Sequence, residues 1–206
     1  NWQLVEKDPA SPPLLSLAFV DSQLGFAVGA YGLALITQDG GNSWEDITDD
    51  LPNEEGMHLN SLLIDTNQNI YIAGEEGSLF VSNDLGANWQ FYDLSGQFNS
   101  IFNLSQGADQ AIYLTGLRGS LGVSYNQGES WQSLTGAGQT SLSYSLPLAN
   151  QDLLLVGENG SYFFGSHHQL TTKRLTSRAS LMAAAELNGK VYAVGKNGVH
   201  TLPLNN

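Results

Sequence analysis

A Gly-x-x-Gly pair recurs five times along the chain, at Gly29/Gly32, Gly74/Gly77, Gly116/Gly119, Gly157/Gly160 and Gly195/Gly198. The first glycines of successive pairs stand 45, 42, 41 and 38 residues apart. A period of this size marks a repeat architecture, in which each unit buries its apolar face only against its neighbours. Ahead of each pair runs a short segment rich in β-formers: Gly25-Phe-Ala-Val28, Ile70-Tyr-Ile-Ala73, Ile112-Tyr-Leu-Thr115, Leu153-Leu-Leu-Val156 and Val191-Tyr-Ala-Val194. Each is too short for a helix and has the residue types of a strand. The two glycines bracket two residues, the pattern of a tight hairpin turn that needs positive φ.

A second motif keeps a constant offset from the first. Seven residues after the second glycine come Asp39, Asp84 and Asn126, and twelve after it come Trp44, Trp89 and Trp131. The text between reads Thr37-Gln-Asp-Gly-Gly-Asn-Ser-Trp44, Ser82-Asn-Asp-Leu-Gly-Ala-Asn-Trp89 and Ser124-Tyr-Asn-Gln-Gly-Glu-Ser-Trp131. In the fourth repeat His167 and Thr172 hold these positions. In the fifth the count reaches Asn205, beside the chain end, and the missing Trp segment stands at the other terminus as Trp2-Gln-Leu-Val5. These motifs resemble the Asp-box, or BNR, repeat. The resemblance implies that Asp39, Asp84 and Asn126 cap β-hairpins by accepting hydrogen bonds from turn amides. It also implies that the tryptophans pack between sheets. Asn and Asp serve alike as turn formers, so a calcium-binding or catalytic role is not needed to explain these positions.

The repeat arithmetic predicts an all-β chain, a five-bladed β-propeller of four-stranded antiparallel blades. The blades fall at about 14–47, 58–92, 100–134, 141–175, and 180–204 plus 2–6. The strand at 2–6, with Trp2, completes the last blade and closes the ring, which leaves no open sheet edge. The whole chain is one domain.

The phrase from Gly25 to Trp44 resembles the photosystem II stability/assembly factor-like propellers. Many bacterial members of that group are exported proteins of unknown function, and the photosynthetic members are assembly chaperones without enzymatic activity. They are typically seven-bladed and carry a basic patch. This chain has five repeats and three arginines, Arg118, Arg174 and Arg178.

Composition narrows the function classes. Seven Lys and Arg against 20 Asp and Glu give a net charge of −13, the wrong sign for electrostatic capture of nucleic acid or anionic membrane surfaces. There is no cysteine, hence no disulfide, thiolate zinc ligand or thiol nucleophile. The longest apolar stretches, such as 14–20, fall far short of a membrane span. The chain begins at Asn1 without Met or a signal-peptide pattern, which reads as a processed or trimmed N-terminus. The expected location is periplasmic or extracellular, and the expected state is a monomer.

Candidate sites lie in the turns. The middle hairpin turns offer Ala30-Tyr31, Glu75-Glu76, Leu117-Arg118, Glu158-Asn159 and Lys196-Asn197. They share one face with the loops 7–13, 48–59, 93–99, 135–140 and 176–179. The long loop 48–59 carries Met57 and His58. With exposed Tyr31, Phe98 and Leu117, this face is the expected protein-binding surface. The alternative is a carbohydrate-binding or glycoside-hydrolysing cleft using Glu75, Glu76 and Glu158, with Tyr31, Asn159 and Asn197 as sugar contacts. Sialidase chemistry needs three converging arginines, and Arg174 and Arg178 flank a connection instead. His58, His167, His168 and His200 lack metal-ligand spacing, and the acidic run at 45–55 lacks the calcium-loop pattern, so no metal and no cofactor is expected. A recurring serine opens the inner strands, at Ser16, Ser61, Ser100, Ser141 or Ser143, and Ser180. These read as small residues at a narrow channel mouth.

Overall fold

The computed structural model describes residues 12–166 and 169–204. Trp2, the strand at 2–6, His167, His168 and Asn205 therefore lie outside the described residues. The first sheet contains β1 (Leu14–Phe19), β2 (Gly25–Gly29), β3 (Ala34–Thr37) and β4 (Glu45–Asp46). The second contains β5 (Leu59–Ile64), β6 (Ile70–Gly74), β7 (Ser78–Ser82) and β8 (Gln90–Asp93). The third contains β9 (Ile101–Gln106), β10 (Ile112–Gly116), β11 (Leu121–Ser124) and β12 (Gln132–Ser133). The fourth contains β13 (Leu142–Pro147), β14 (Leu153–Gly157), β15 (Ser161–Ser166) and β16 (Gln169–Arg174). The fifth contains β17 (Leu181–Leu187), β18 (Lys190–Gly195) and β19 (Gly198–Leu202). All pairings are antiparallel between sequence neighbours, as short hairpin turns dictate.

The first strand of each sheet packs on that of the next, in the order β1, β5, β9, β13, β17. Four apolar clusters fill the four junctions between successive sheets. Burial on both faces explains why the second strands read as unbroken apolar runs: β2, β6, β10 and β14 are buried throughout. The run on β18 has the same composition, yet Val194 is exposed. Among the described residues, no packing comparable to the four junctions joins β17 to β1.

The glycine pairs have two different jobs, not one. The first glycine is extended, with φ between −147° and −174° in the first four repeats, and supplies no positive φ. Instead a Cβ there would strike a carbonyl oxygen of the sheet's first strand or the residue before it, at Pro13, His58, Ser100, Ser141 and Ser180. The left-handed positions are the second glycine and the residue before it: Tyr31 (φ 56°), Glu76 (φ 53°), Arg118 (φ 54°), Asn159 (φ 54°) and Asn197 (φ 75°).

The Asp-box turns form as the resemblance implies. One carboxylate oxygen of Asp39 accepts from the Ser43 amide at 2.9 Å and the Thr37 hydroxyl at 2.9 Å, and the other accepts from the Ser43 hydroxyl at 2.6 Å. Asp84 does the same with the Asn88 amide at 2.9 Å, the Asn88 side chain at 2.7 Å and the Ser82 hydroxyl at 2.8 Å. Asn126 Oδ1 accepts from the Ser130 amide at 3.0 Å and the Ser124 hydroxyl at 3.0 Å. An amide oxygen thus replaces the carboxylate without changing the turn. Trp89 meets Phe26 of the preceding sheet edge-on at 6.2 Å, and Trp131 joins the cluster of Tyr71. Trp44 instead meets Phe19 of its own sheet at 6.2 Å.

The recurring serines occupy two separate columns. Ser16 Oγ accepts from the Leu62 amide at 3.0 Å, and Ser61 Oγ from the Leu104 amide at 3.0 Å. Asn103 Oδ1 takes the same place at the next junction, accepting from the Ser145 amide at 2.9 Å. Ser100, Ser141 and Ser180 lie just ahead of the inner strands and serve the turns.

Candidate functional site

The middle turns and the loops linking successive sheets are packed together at one end of the strands. A Cβ on Gly32 would meet Asn53 at 2.7 Å, one on Gly77 would meet Leu94 at 2.8 Å, and one on Gly160 would meet Arg178 at 3.0 Å. The backbone amides of Glu75, Leu117, Glu158 and Lys196 donate to the carbonyls of His58, Ser100, Ser141 and Ser180. The amides of Glu76, Arg118 and Asn159 then point at the hydroxyls of Ser100 (3.3 Å), Ser141 (3.4 Å) and Ser180 (3.3 Å) of the following sheet. Glu76, Arg118 and Asn159 are therefore held by their backbones, and their side chains are left to solvent. A non-glycine residue in this conformation costs about 1–2 kcal/mol, which these contacts offset.

Tyr31, Glu76, Arg118, Asn159 and Asn197 are exposed in this way, and Tyr31 is 70% exposed. At the first junction a ring takes the place of the serine: Tyr31 sits edge-on to His58, with centroids 4.9 Å apart. Glu158 and Lys196 are also exposed, and Leu117 is half-buried. Glu75 is half-buried, with one carboxylate oxygen accepting from the His58 amide at 3.0 Å. That hydrogen bond gives Glu75 a structural duty. Glu158 lies on the matching turn two sheets further on, and no contact joins the two carboxylates.

Phe98 is a correction to the surface expected from sequence. It is 3% exposed and lies in the second junction, where a Cβ on Gly122 would meet its ring at 2.6 Å. The polar loop around it conceals an anchor for the third sheet.

The pocket between Tyr31 and the segment after β4 leaves no mark in the sequence. It is an open cavity of about 580 Å³ whose lining includes Tyr31, Leu33, Asp46, Asp49 and Asp50. A second, of about 680 Å³, shares Asp49 and Asp50 and extends to Trp89. No Lys or Arg occurs between Lys7 and Arg118, so the turn face is acidic over the first two sheets. Arg118, Arg178 and Lys196 stand on the later sheets. Among the described residues there is no cluster of three or more potential metal ligands. Among them, too, no helix is long and apolar enough to cross a membrane.

Asp39 and Asp84 lie away from this face, in the Asp-box turns, whereas Asp93 caps a loop beside the Gly77 turn. The Ser43 hydroxyl and amide and the Thr37 hydroxyl hold Asp39 down at about 2. The Asn88 side chain and amide lower Asp84, and Ser95 lowers Asp93. Burial, with help from Asp109, pushes Tyr113 up to about 12. These shifts follow from turn capping and core packing.

Residues 1–100 match the family model for the photosystem II assembly factor Ycf48. The photosystem II assembly lipoprotein Ycf48 of Synechococcus sp. (strain CC9902) is 38% identical over 88 residues, which cover 43% of this chain and 26% of that protein. The protein of the same name from Parasynechococcus marenigrum (strain WH8102) is 41% identical over 61 residues, 30% of this chain and 18% of that protein. The chain thus spans about a quarter or less of the length of these curated relatives. Among solved structures, Ycf48 bound to a D1 peptide superposes with a TM-score of 0.77 at 19% identity, covering 96% of this chain and 65% of that one. Ycf48 from Cyanidioschyzon merolae superposes with a TM-score of 0.75 at 17% identity, covering 97% of this chain and 70% of that one. The chain is an Asp-box repeat protein with a propeller-type arrangement of sheets, similar to the photosystem II assembly factors.

Proposed function

We propose that this chain is a non-catalytic assembly factor that binds a peptide segment of a protein partner across its middle-turn face. The observation that carries this reading is the arc of left-handed residues from Tyr31 to Asn197. The amides of Glu76, Arg118 and Asn159 are held by the next sheet, and their side chains, like those of Tyr31 and Asn197, are exposed, so binding orders little that is not already ordered. The exposed Tyr31, beside a cavity, is the aromatic anchor such a surface needs. Acidic loops at one end and Arg118, Arg178 and Lys196 at the other would set the direction of a bound segment. The names of the relatives, and the peptide bound to a structural neighbour, support the same reading.

An exported location belongs to the proposal, supported by the relatives' description as lipoproteins.

The test is affinity capture from envelope and soluble extracts, with wild type beside a Tyr31→Ala, Glu76→Ala, Arg118→Ala triple variant. All three side chains are exposed, so the variant should melt within a few degrees of wild type. A protein retained by wild type and lost by the variant supports the reading. Equal capture by both would place binding elsewhere.

A further inference from the structure

The 3-10 turn Thr48–Asp50, which follows β4, lines two open cavities at once. One, of about 580 Å³, has Tyr31, Leu33 and Ile47 in its lining, and the other, of about 680 Å³, has Leu51, Pro52 and Trp89. Asp49 and Asp50 belong to both. The turn is pinned by its neighbours. Ile47 and Leu51, on either side of it, are 8% and 5% exposed and belong to the first apolar junction. Thr48 Oγ accepts from the Ala34 amide at 3.1 Å, and the Asp46 carboxylate accepts from the Thr48 amide at 2.9 Å. The Asp50 amide donates to the Ile47 carbonyl at 3.0 Å.

Asp49 and Asp50 themselves are exposed, and among the described residues no donor meets either carboxylate. Two adjacent like charges on a fixed turn repel, and the fold gives them no counter-charge nearby in the chain. No lysine or arginine occurs between Lys7 and Arg118. The aromatic beside them is not accounted for by packing either. Tyr31 is left-handed, with φ 56°, a conformation that Asn and Gly adopt far more readily. Its ring is 70% exposed and gains an edge-on contact with His58 at 4.9 Å. An exposed ring beside two fixed carboxylates matches a cation that can also stack.

A guanidinium suits this arrangement better than an ammonium. It is planar, stacks on an aromatic face and offers paired N–H groups to carboxylates, whereas an ammonium is a compact, strongly hydrated point charge. We propose that Asp49, Asp50 and Tyr31 form a site for an arginine side chain on a segment of the protein partner. The guanidinium donates to the two carboxylates and lies along the Tyr31 ring in the first cavity. The second cavity leaves the segment room to continue toward Trp89. This inference deepens the middle-turn reading and rests on it for the source of the arginine. It also fixes which part of the segment lies over the first sheet.

The probes are Nα-acetyl-arginine amide, its lysine analogue and its neutral citrulline analogue. Each is titrated into the isotope-labelled chain at about 0.15 M salt, where diffuse charge attraction is screened, and amide NMR shifts map the site. The arginine probe should give saturable shifts at Tyr31, Asp49 and Asp50 with a Kd of about 1–10 mM, in keeping with a single side chain. The lysine probe should bind about threefold more weakly or worse, and citrulline should not bind. Asp49→Asn with Asp50→Asn should raise the arginine Kd about tenfold. Glu45→Gln with Glu129→Gln removes the same charge from exposed positions outside both cavities and should leave the Kd within about twofold. Asp46 is kept because it holds the Thr48 amide. Tyr31→Asn retains a residue suited to the left-handed backbone and should bring the arginine and lysine probes to equal affinity. Shifts that do not saturate, or a citrulline probe that binds as well, would overturn the proposal. So would equal weakening by the two double variants, which would mean diffuse charge, or equal affinity of wild type for arginine and lysine. The probe needs no partner, so its failure strikes the arginine site alone. Equal capture by wild type and the triple variant would instead strike the middle-turn reading and leave the probe's result standing.

Discussion

The backbone amide of Leu104 donates to Ser61 Oγ at 3.0 Å, tying the inner strand of the third sheet to that of the second. Both groups are buried, and the hydroxyl replaces the strand partner that the edge of a sheet lacks. Removing it leaves a buried N–H with no acceptor. Ser61→Ala should cost about 1–3 kcal/mol, the penalty for an unsatisfied buried donor. Ser16→Ala, whose serine is only half-buried, should cost less. Urea melts of the two variants check the order, and equal midpoints would refute it.

Gly116→Ala should be far more damaging than its extended φ implies. Its Cβ would strike the Ser100 carbonyl, a backbone atom that cannot swing aside. The hairpin must separate from the inner strand, and a loss of several kcal/mol is expected, as for severe overpacking. Gly96→Ala is the control, since its Cβ would meet nothing within 4 Å. Thermal melts should separate the two by many degrees.

Acid should loosen the Asp-box turns. The folded pKa of Asp39 is lowered to about 2 and that of Asp84 is also lowered, so both bind protons less readily folded than unfolded. Their contribution is present above the unfolded carboxylate range, near pH 4, and is lost as pH falls toward 2. Asp39→Asn and Asp84→Asn should preserve the turns, because Asn126 already makes the same amide contact. The double variant should show a flatter decline in Tm between pH 4 and pH 2. An unchanged slope would place the acid sensitivity elsewhere.

The two interior tryptophans should respond differently to Phe. Trp131 Nε1 donates to the Gly128 carbonyl at 3.1 Å, whereas Trp89 Nε1 is buried without a partner. Trp131→Phe loses a hydrogen bond worth about 1 kcal/mol, and Trp89→Phe loses none. Denaturant midpoints should therefore fall further for Trp131→Phe. The reverse order would mean that ring packing outweighs the hydrogen bond.

The repeat was legible because its signals are local. Asp39 and Trp44 lie within one turn and strand, so their spacing is set by hairpin geometry and survives as text. Phe98 reads as exposed because its loop is polar in sequence, and only the approach of Gly122 from the third sheet makes its position apolar. The two serine columns read as one in the sequence for a similar reason. Ser61 and Ser100 look alike at the head of a strand, but one faces the next inner strand and the other faces the preceding turn. Even the glycine pairs hid a division of labour. A close approach at Gly116 and a positive φ at Gly119 leave the same letter.

By itself the sequence determined the strands, their antiparallel order, the Asp-box turns and the recurrence that stacks one sheet on the next. These depend on contacts within about 40 residues, the length of one repeat. The tertiary structure alone decided which serine serves which neighbour, that Phe98 is interior, and that Leu17 and Val199 are left exposed at the ends of the arc. Those outcomes depend on how many sheets the curvature must accommodate. That angle is set by the packing volumes at every junction together, and no single repeat records it.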